Sequence, residues 1–136
     1  MRRIVLIALV VLAGCGSGEP RENLPRPPVP VLMTASVDDR VVRVSPRTTG
    51  AGPITLVVTN QSSEPQTITF ETDELGGESG GRRASSPRIP PRGTGRLTID
   101  ARTGVYAVRA SDEQIEAARV RIGPQRPSGQ DRVLLP

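Results

Sequence analysis

From residue 36 onward, apolar and polar residues alternate in short runs that are separated by Gly, Pro, Asn and Asp. A period of two places successive side chains on opposite faces of an extended chain, so each run predicts a β-strand with one apolar face. The predicted strands cover 40–45, 52–60, 66–71, 95–100, 104–110 and 118–123. Their apolar faces carry Val42 and Val44; Ile54, Leu56 and Val58; Ile68 and Phe70; Leu97 and Ile99; Tyr106, Val108 and Ala110; and Val120 and Ile122. The pattern therefore predicts an all-β fold of two sheets packed face to face.

One segment departs from this pattern. In 111–118, "SDEQIEAA", Ser111 or Asp112 is suited to cap a short helix, so one or two helical turns are predicted there. The chain after residue 124 is predicted to be extended. Its apolar residues Val133, Leu134 and Leu135 either fold back onto the sheets or meet a partner.

The N-terminus has the pattern of a targeting segment. Arg2 and Arg3 precede a short apolar run that ends at Leu12, which is too short to span a bilayer and has the length of a signal-peptide core. The sequence "LAGC" at 12–15 then resembles the bacterial lipoprotein lipobox. This resemblance implies cleavage after Gly14 and attachment of diacylglycerol to Cys15. The alternative is an ordinary secretory leader that happens to have a cysteine near its end.

The expected organisation follows from the leader and from the composition behind it. Residues 1–14 are the signal peptide, and 15–35 are the lipidated cysteine with a tether rich in Pro and Gly, which cannot form a helix or a central strand. Residues 36–124 are the β-sandwich domain, and 125–136 are the tail. The protein is expected at the cell membrane, held by its lipid and facing the extracytoplasmic side, where two acyl chains give stable anchoring.

Composition narrows the functional classes. The chain has a formal charge of +4, two units of which lie at Arg2 and Arg3, so the part after the leader is too weakly basic to indicate a nucleic-acid partner. It contains no His, Lys or Trp, and its single cysteine is Cys15. General acid–base chemistry is left to carboxylates and Tyr106, and a nucleophilic triad has no base. No catalytic residues, and no cofactor, are predicted.

The order of the motifs indicates a particular sandwich. A Gly-Pro entry leads to a hydrophobic strand that ends in Asn60; "IPPRGTGRLTI" and a "GVY" strand follow, and "ARVRIG" closes the series. This order resembles bacterial cupredoxin-like domains over about residues 41–123. The resemblance implies a Greek-key β-sandwich, and an immunoglobulin-like sandwich is the alternative that shares these turn and strand signals.

The copper ligands of such a domain have no counterpart here. The resemblance implies a histidine just after the Asn-ended strand, where this chain reads "SSEPQTI". It also implies a cysteine near Ala110, followed by histidine and often methionine, where this chain reads "SDEQIEAA". Because a blue-copper site needs two imidazoles and a thiolate, the resemblance carries over a fold without its electron-transfer function.

Two charged segments remain as candidate sites. Glu71, Asp73, Glu74 and Glu78 flank a glycine turn and offer oxygen ligands to a hard cation such as Ca²⁺, or a carboxylate pair to an envelope enzyme; the alternative is a solvated acidic loop. A run of arginines with no acid among them offers contacts to anionic lipid or a wall polymer, and the alternative is again a solvated loop. This arginine run consists of Arg82, Arg83, Arg88, Arg92 and Arg96.

The sequence thus predicts a lipid-anchored protein of the cell envelope that carries a metal-free, cupredoxin-like binding or structural module. Its expected partners are the membrane, through the lipid, and an envelope protein or an anionic polymer. The alternatives are an envelope enzyme or Ca²⁺-dependent factor that uses the acidic loop, and a polyanion binder that uses the arginine run.

Overall fold

A computed structural model of the chain describes residues 26–73 and 81–129. The expected signal peptide, Cys15, most of the expected tether, Glu74, Glu78 and the end of the expected tail lie outside these residues. The described part contains no helix that is long and apolar enough to cross a membrane. Its strands are β1 Val31–Val37, β2 Val42–Ser45, β3 Thr48–Asn60, β4 Ile68–Thr72, β5 Arg83–Ser85, β6 Thr94–Ala101, β7 Gly104–Ala110 and β8 Ala118–Gln125.

The eight strands form two layers that share β3. The first layer has the order β2-β1-β3-β6, and the second has the order β3-β8-β7-β4-β5. The beginning of β3, from Thr48 to Ala51, pairs in parallel with β8, whereas its remainder pairs in parallel with β1 and antiparallel with β6. The predicted all-β sandwich is therefore confirmed, with β3 as the strand that passes from one layer to the other.

The core lies where the alternation places it. The predicted inward residues are all buried except Ala110, which is half-buried at the end of β7. Phe70 and Tyr106, the only aromatic residues, meet edge to face with ring centroids 5.4 Å apart. The Tyr106 hydroxyl also accepts a hydrogen bond from the backbone N–H of Arg102 at 3.0 Å, so its polar end is satisfied inside the sandwich.

The domain begins earlier than residue 36, where the sequence predicts its boundary. β1 begins at Val31, inside the segment expected to be tether, and its burial alternates so that Met33, Ala35 and Val37 enter the core. The described residues before β1, 26–30, include three prolines and form no strand, as expected for residues that lack a backbone donor. After Pro30, however, every residue of β1 has a backbone N–H to donate, and the strand pairs with both β2 and β3.

The hairpin between β1 and β2 depends on one carboxylate. Asp38 Oδ1 accepts hydrogen bonds from the backbone N–H groups of Arg40 and Val41 at 2.9 and 2.8 Å, and Oδ2 pairs with the Arg43 guanidinium. The Arg43 hydrogen bond first, and then the two backbone donors, lower the pKa of Asp38 from 3.8 to about 2. Stability from this carboxylate is complete above the ordinary pKa and is lost as the pH falls through about 2.

A single arginine secures the passage of β3 between the layers. The register of β3 against β8 shifts between Gly50 and Ala51, which interrupts the regular ladder of backbone hydrogen bonds. Arg126, just after β8, donates from Nε to the carbonyls of Gly50 and Ala51 at 3.2 Å each, and from an Nη atom to that of Pro53 at 2.7 Å. Its other Nη atom donates to the Val29 carbonyl.

This contact also extends the domain past the expected end at residue 124. The guanidinium joins the entry to β1, the crossing of β3 and the chain after β8. A Cβ at Gly50 would lie 2.6 Å from Arg126 Cγ, so the arginine stem fits only because position 50 carries no side chain. Residues 125 and 126 therefore belong to the domain and not to an extended tail.

We expect Arg126→Lys to lower the free energy of unfolding by about 2–3 kcal/mol, because an ammonium cannot reproduce a planar fork of donors aimed at several carbonyls. Urea denaturation of the full chain measures this effect. Arg121→Lys, at an exposed position of β8, is the control and is expected to change stability by less than about 0.5 kcal/mol. Equal losses in the two variants would show that the guanidinium contacts do not stabilise the crossing.

Candidate functional site

The structure joins the two regions in which the cupredoxin resemblance implies metal ligands. Ile68, at the start of β4, pairs with Ala110, at the end of β7. Next to this pair, the backbone N–H of Thr67 donates to the Ser111 hydroxyl at 3.1 Å. The "SSEPQTI" and "SDEQIEAA" segments therefore meet at one end of the sandwich.

Gln66 occupies the centre of this meeting point. Its side chain is buried, and Oε1 accepts hydrogen bonds from the Ser111 hydroxyl at 2.9 Å and from the Asp112 backbone N–H at 3.2 Å. Its backbone exchanges two hydrogen bonds with Ile89, at 2.9 and 2.7 Å. The Gln66 side chain thus connects the segment in which the resemblance implies the first ligand to the segment in which it implies the others.

These side chains do not fit a blue-copper ion. Gln66, Ala110 and Ser111 supply an amide, a methyl group and a hydroxyl, whereas such a centre needs imidazole and thiolate ligands. Among the described residues, no three His, Cys, Asp or Glu side chains are grouped to hold a metal ion. The side chains that meet at this end of the described domain therefore include neither an imidazole nor a thiolate.

The predicted helical turn over 111–118 is wrong. The segment makes a single tight turn, in which the Ile115 N–H donates to the Asp112 carbonyl at 3.2 Å, and it then becomes extended. The Glu116 N–H donates to the Arg40 carbonyl, and the Glu116 carbonyl accepts from the Val42 N–H, both at 2.8 Å. Pairing with the chain that enters β2 thus takes the backbone groups that a helix would use.

Asn60 organises the polar groups at the same end. Its fully buried side chain donates from Nδ2 to the carbonyls of Glu64 and Ile89 at 2.9 Å each. Oδ1 accepts from the Ser62 N–H at 2.9 Å and from the Ser62 hydroxyl at 2.6 Å. Both amide protons and both lone pairs are used, so this single side chain connects the end of β3, the following turn and the loop before β6.

Of the four acidic residues offered as Ca²⁺ ligands, the two that the structure describes, Glu71 and Asp73, are paired with arginine. Glu71 lies within ion-pair distance of Arg83, at 3.4 Å, and of Arg109, at 3.2 Å. Asp73 pairs with Arg109 and with Arg119, both at 3.3 Å. Positive charges on both described carboxylates oppose the binding of a divalent cation.

Strand register explains why these groups meet. Across the outer face of the second layer, Arg83, Glu71, Ala107 and Arg119 are successive neighbours on β5, β4, β7 and β8. Because Ala107 is small, the longer side chains on either side can cross above it. A shallow hollow of about 440 Å³ lies here, between this face and the entry to β2, and Arg47, Arg109, Arg119, Asp73 and Glu116 contribute its charged lining.

The arginine run does not form one surface. Arg83 lies on β5 and pairs with Glu71, whereas Arg96 lies on β6 in the other layer. Arg88 and Arg92 are exposed in the connection between them, with Arg92 at a positive φ of 62°, and Arg82 is half-buried. Sequence order therefore groups residues that the fold separates.

The sequence does not indicate that Arg109 and Arg119 line a common hollow, although the alternation of side chains does predict that both point away from the core. Arg109 follows the inward residue Val108, and Arg119 precedes the inward residue Val120, so both face outward. What the sequence lacks is the neighbour relation of β4, β7 and β8, which brings these two side chains to Glu71 and Asp73.

We expect Asn60→Asp to lower the free energy of unfolding by about 3 kcal/mol or more. The substitution replaces the Nδ2 donor with a carboxylate oxygen that faces two carbonyl oxygens in a buried site. Gln61→Glu makes the same chemical change at the adjacent, exposed position and is expected to be nearly neutral. Urea denaturation of both variants at neutral pH decides the matter, and similar midpoints would rule out the role given to Asn60.

Comparison with known proteins supports the fold. No family model matches the chain, and no curated protein matches it. The crystal structure of dithionite-reduced auracyanin from the photosynthetic bacterium Roseiflexus castenholzii matches with a TM-score of 0.52 and 12% sequence identity, over 71% of this chain and 99% of that one. At this identity the likeness concerns the fold alone. The described domain is an all-β sandwich of the cupredoxin-like type, as the order of the motifs predicts.

Proposed function

We propose that this protein is a lipid-anchored component of the cell envelope, whose cupredoxin-like domain holds no copper and acts as a binding or structural module. The observation that carries the proposal is the contact of Gln66 with Ser111 and Asp112. At the end where the fold's copper ligands are expected, a neutral amide joins the two segments by hydrogen bonds. The domain can therefore maintain this end without a metal ion.

The lipid anchor is supported by the sequence. An apolar run of signal-peptide length, two small residues and Cys15 stand in the order of a lipobox. Together they favour export, cleavage before Cys15 and retention at the membrane. A domain held in this way works at the membrane surface, where its partners are other envelope proteins or anionic polymers.

The charged hollow is the surface that we assign to such a partner. It contains Arg47, Arg109 and Arg119 with Asp73 and Glu116, and thus offers charges of both signs in one shallow depression. A protein surface of complementary charges fits this arrangement better than a uniformly anionic polymer does. The Ca²⁺-dependent or enzymatic alternative is not favoured, because Glu71 and Asp73 are held by arginines.

The first test concerns copper. After incubation with Cu²⁺ and desalting, we expect the full chain carrying Cys15→Ser to retain less than stoichiometric copper and to show no thiolate-to-copper absorption band, since it lacks imidazole and thiolate. The matched control adds Gln66→His, Ala110→Cys and Ser111→His, which supply the two imidazoles and the thiolate that a blue-copper site needs. We expect that variant to retain copper. One copper ion per chain in the protein without these additions would overturn the proposal.

The second test concerns the anchor. When the full chain is expressed with a labelled fatty acid in a bacterium that processes lipoproteins, we expect it to carry the label and to partition into the detergent phase. Cys15→Ser is expected to abolish the label, because the thioether can form only on the cysteine sulfur. Ser17→Ala, two residues away, serves as the control and should remain labelled. A label that survives in the Cys15→Ser variant would exclude Cys15 as the attachment site.

A further inference from the structure

β6 is an open edge of the first layer. Among the described residues it pairs with β3 alone, in a register of eight residue pairs without a bulge. Of the other edges, β2 and β5 are four and three residues long, and only the short beginning of β3 borders the second layer. An edge of eight residues without proline presents a row of unpaired N–H and C=O groups, and such an edge readily accepts another strand.

The charged side chains of β6 indicate which partner strand would have complementary charges at this edge. Its outward residues are Thr94, Arg96, Thr98 and Asp100, all of them exposed. The arginine and the aspartate lie two residues before and two residues after Thr98. Neither has an ion-pair partner in the described part of its own chain.

We propose that two copies of this chain associate by antiparallel pairing of their β6 strands about a two-fold axis at Thr98. In this register Arg96 of each copy lies opposite Asp100 of the other, so the same ion pair forms twice. On the inner face, Leu97 lies opposite Ile99, and both residues are already buried in the core of each copy. The first layer would then continue from one molecule into the next as a sheet of eight strands.

The register makes the pairing unusually specific. If β6 slips by two residues, Arg96 lies opposite another position and both ion pairs are lost. If it slips by one residue, the outward side chains of one copy lie opposite residues that belong to the core face of the other copy. A parallel arrangement would set Arg96 beside Arg96 and Asp100 beside Asp100. Only the antiparallel register centred on Thr98 satisfies all four charges.

Site-directed disulfides test the axis. In a full chain carrying Cys15→Ser, Thr98→Cys places two thiols opposite each other, with Cα atoms about 5 Å apart, and we expect oxidation to give a covalent dimer. Thr94→Cys is the matched control on the same face of the same strand. In the proposed register its two copies are about 27 Å apart, and no dimer above background is expected. Equal dimer yields from the two variants would overturn the proposal.

Charge exchange tests the partner independently. In the Thr98→Cys background, Arg96→Asp sets aspartate against Asp100 in both pairs and is expected to reduce the dimer yield about tenfold. Adding Asp100→Arg reverses both pairs and should restore the yield. A double variant that remains as low as the single one would contradict the register. Circular dichroism and urea midpoints show whether each variant is folded, which is expected because both side chains are exposed.

The test does not depend on the proposed anchor or on the absence of copper, since it uses the chain without Cys15. A failure of β6 pairing would leave the proposed function unaffected, and the absence of a lipid would leave the pairing unaffected. If an extended segment of a different protein is the true occupant of this edge, the Thr98→Cys chain alone will show no more dimer than its control, and the proposal is then wrong.

Discussion

The passage of β3 between the two layers is the constraint on which the rest of the structure depends. One strand pairs with β8 at its beginning and with β1 and β6 over the remainder. A strand that changes layers must interrupt its ladder of hydrogen bonds, and buried carbonyls without donors are costly. Arg126 supplies donors at this interruption, so a charged side chain at the margin of the sandwich makes the division into two layers possible.

At the opposite end of β3, carbonyl groups also need hydrogen-bond donors, and neutral side chains supply them. There Asn60 satisfies the carbonyls of two loops, and Gln66 receives hydrogen bonds from the loop after β7. In a metal-binding sandwich, coordination would join the same segments. Here amide hydrogen bonds make the connection, each modest in energy but costly to break once buried.

Much of the fold could be predicted because strand alternation is local information. The inward positions of β3, β4, β6, β7 and β8 follow directly from it, and the motif order led to the correct sandwich type. β1 was missed because the prolines before it suggested a tether, and β5 because three mostly polar residues carry no pattern. The turn after β7 looked helical, since nothing local reveals that Glu116 pairs with the chain before β2.

The candidate sites were less predictable for the same reason. Gln66 lies in the segment where a ligand was expected, so the sequence could locate that end of the domain. The association of Glu71 and Asp73 with three arginines depends on which strands are neighbours and in what register, and these relations are not local. Runs of like charge along the chain were a poor guide, because adjacent residues of a strand face opposite sides and successive strands belong to different layers.

The position of β8 has a further consequence for how the chain acquires its structure. Residues near the C-terminus pair with the beginning of β3 and with β7, and Arg126 reaches back to Val29. Contacts between such distant parts of a chain form late, because a large loop must close first. The sandwich therefore cannot be completed while the last strand is still being synthesised.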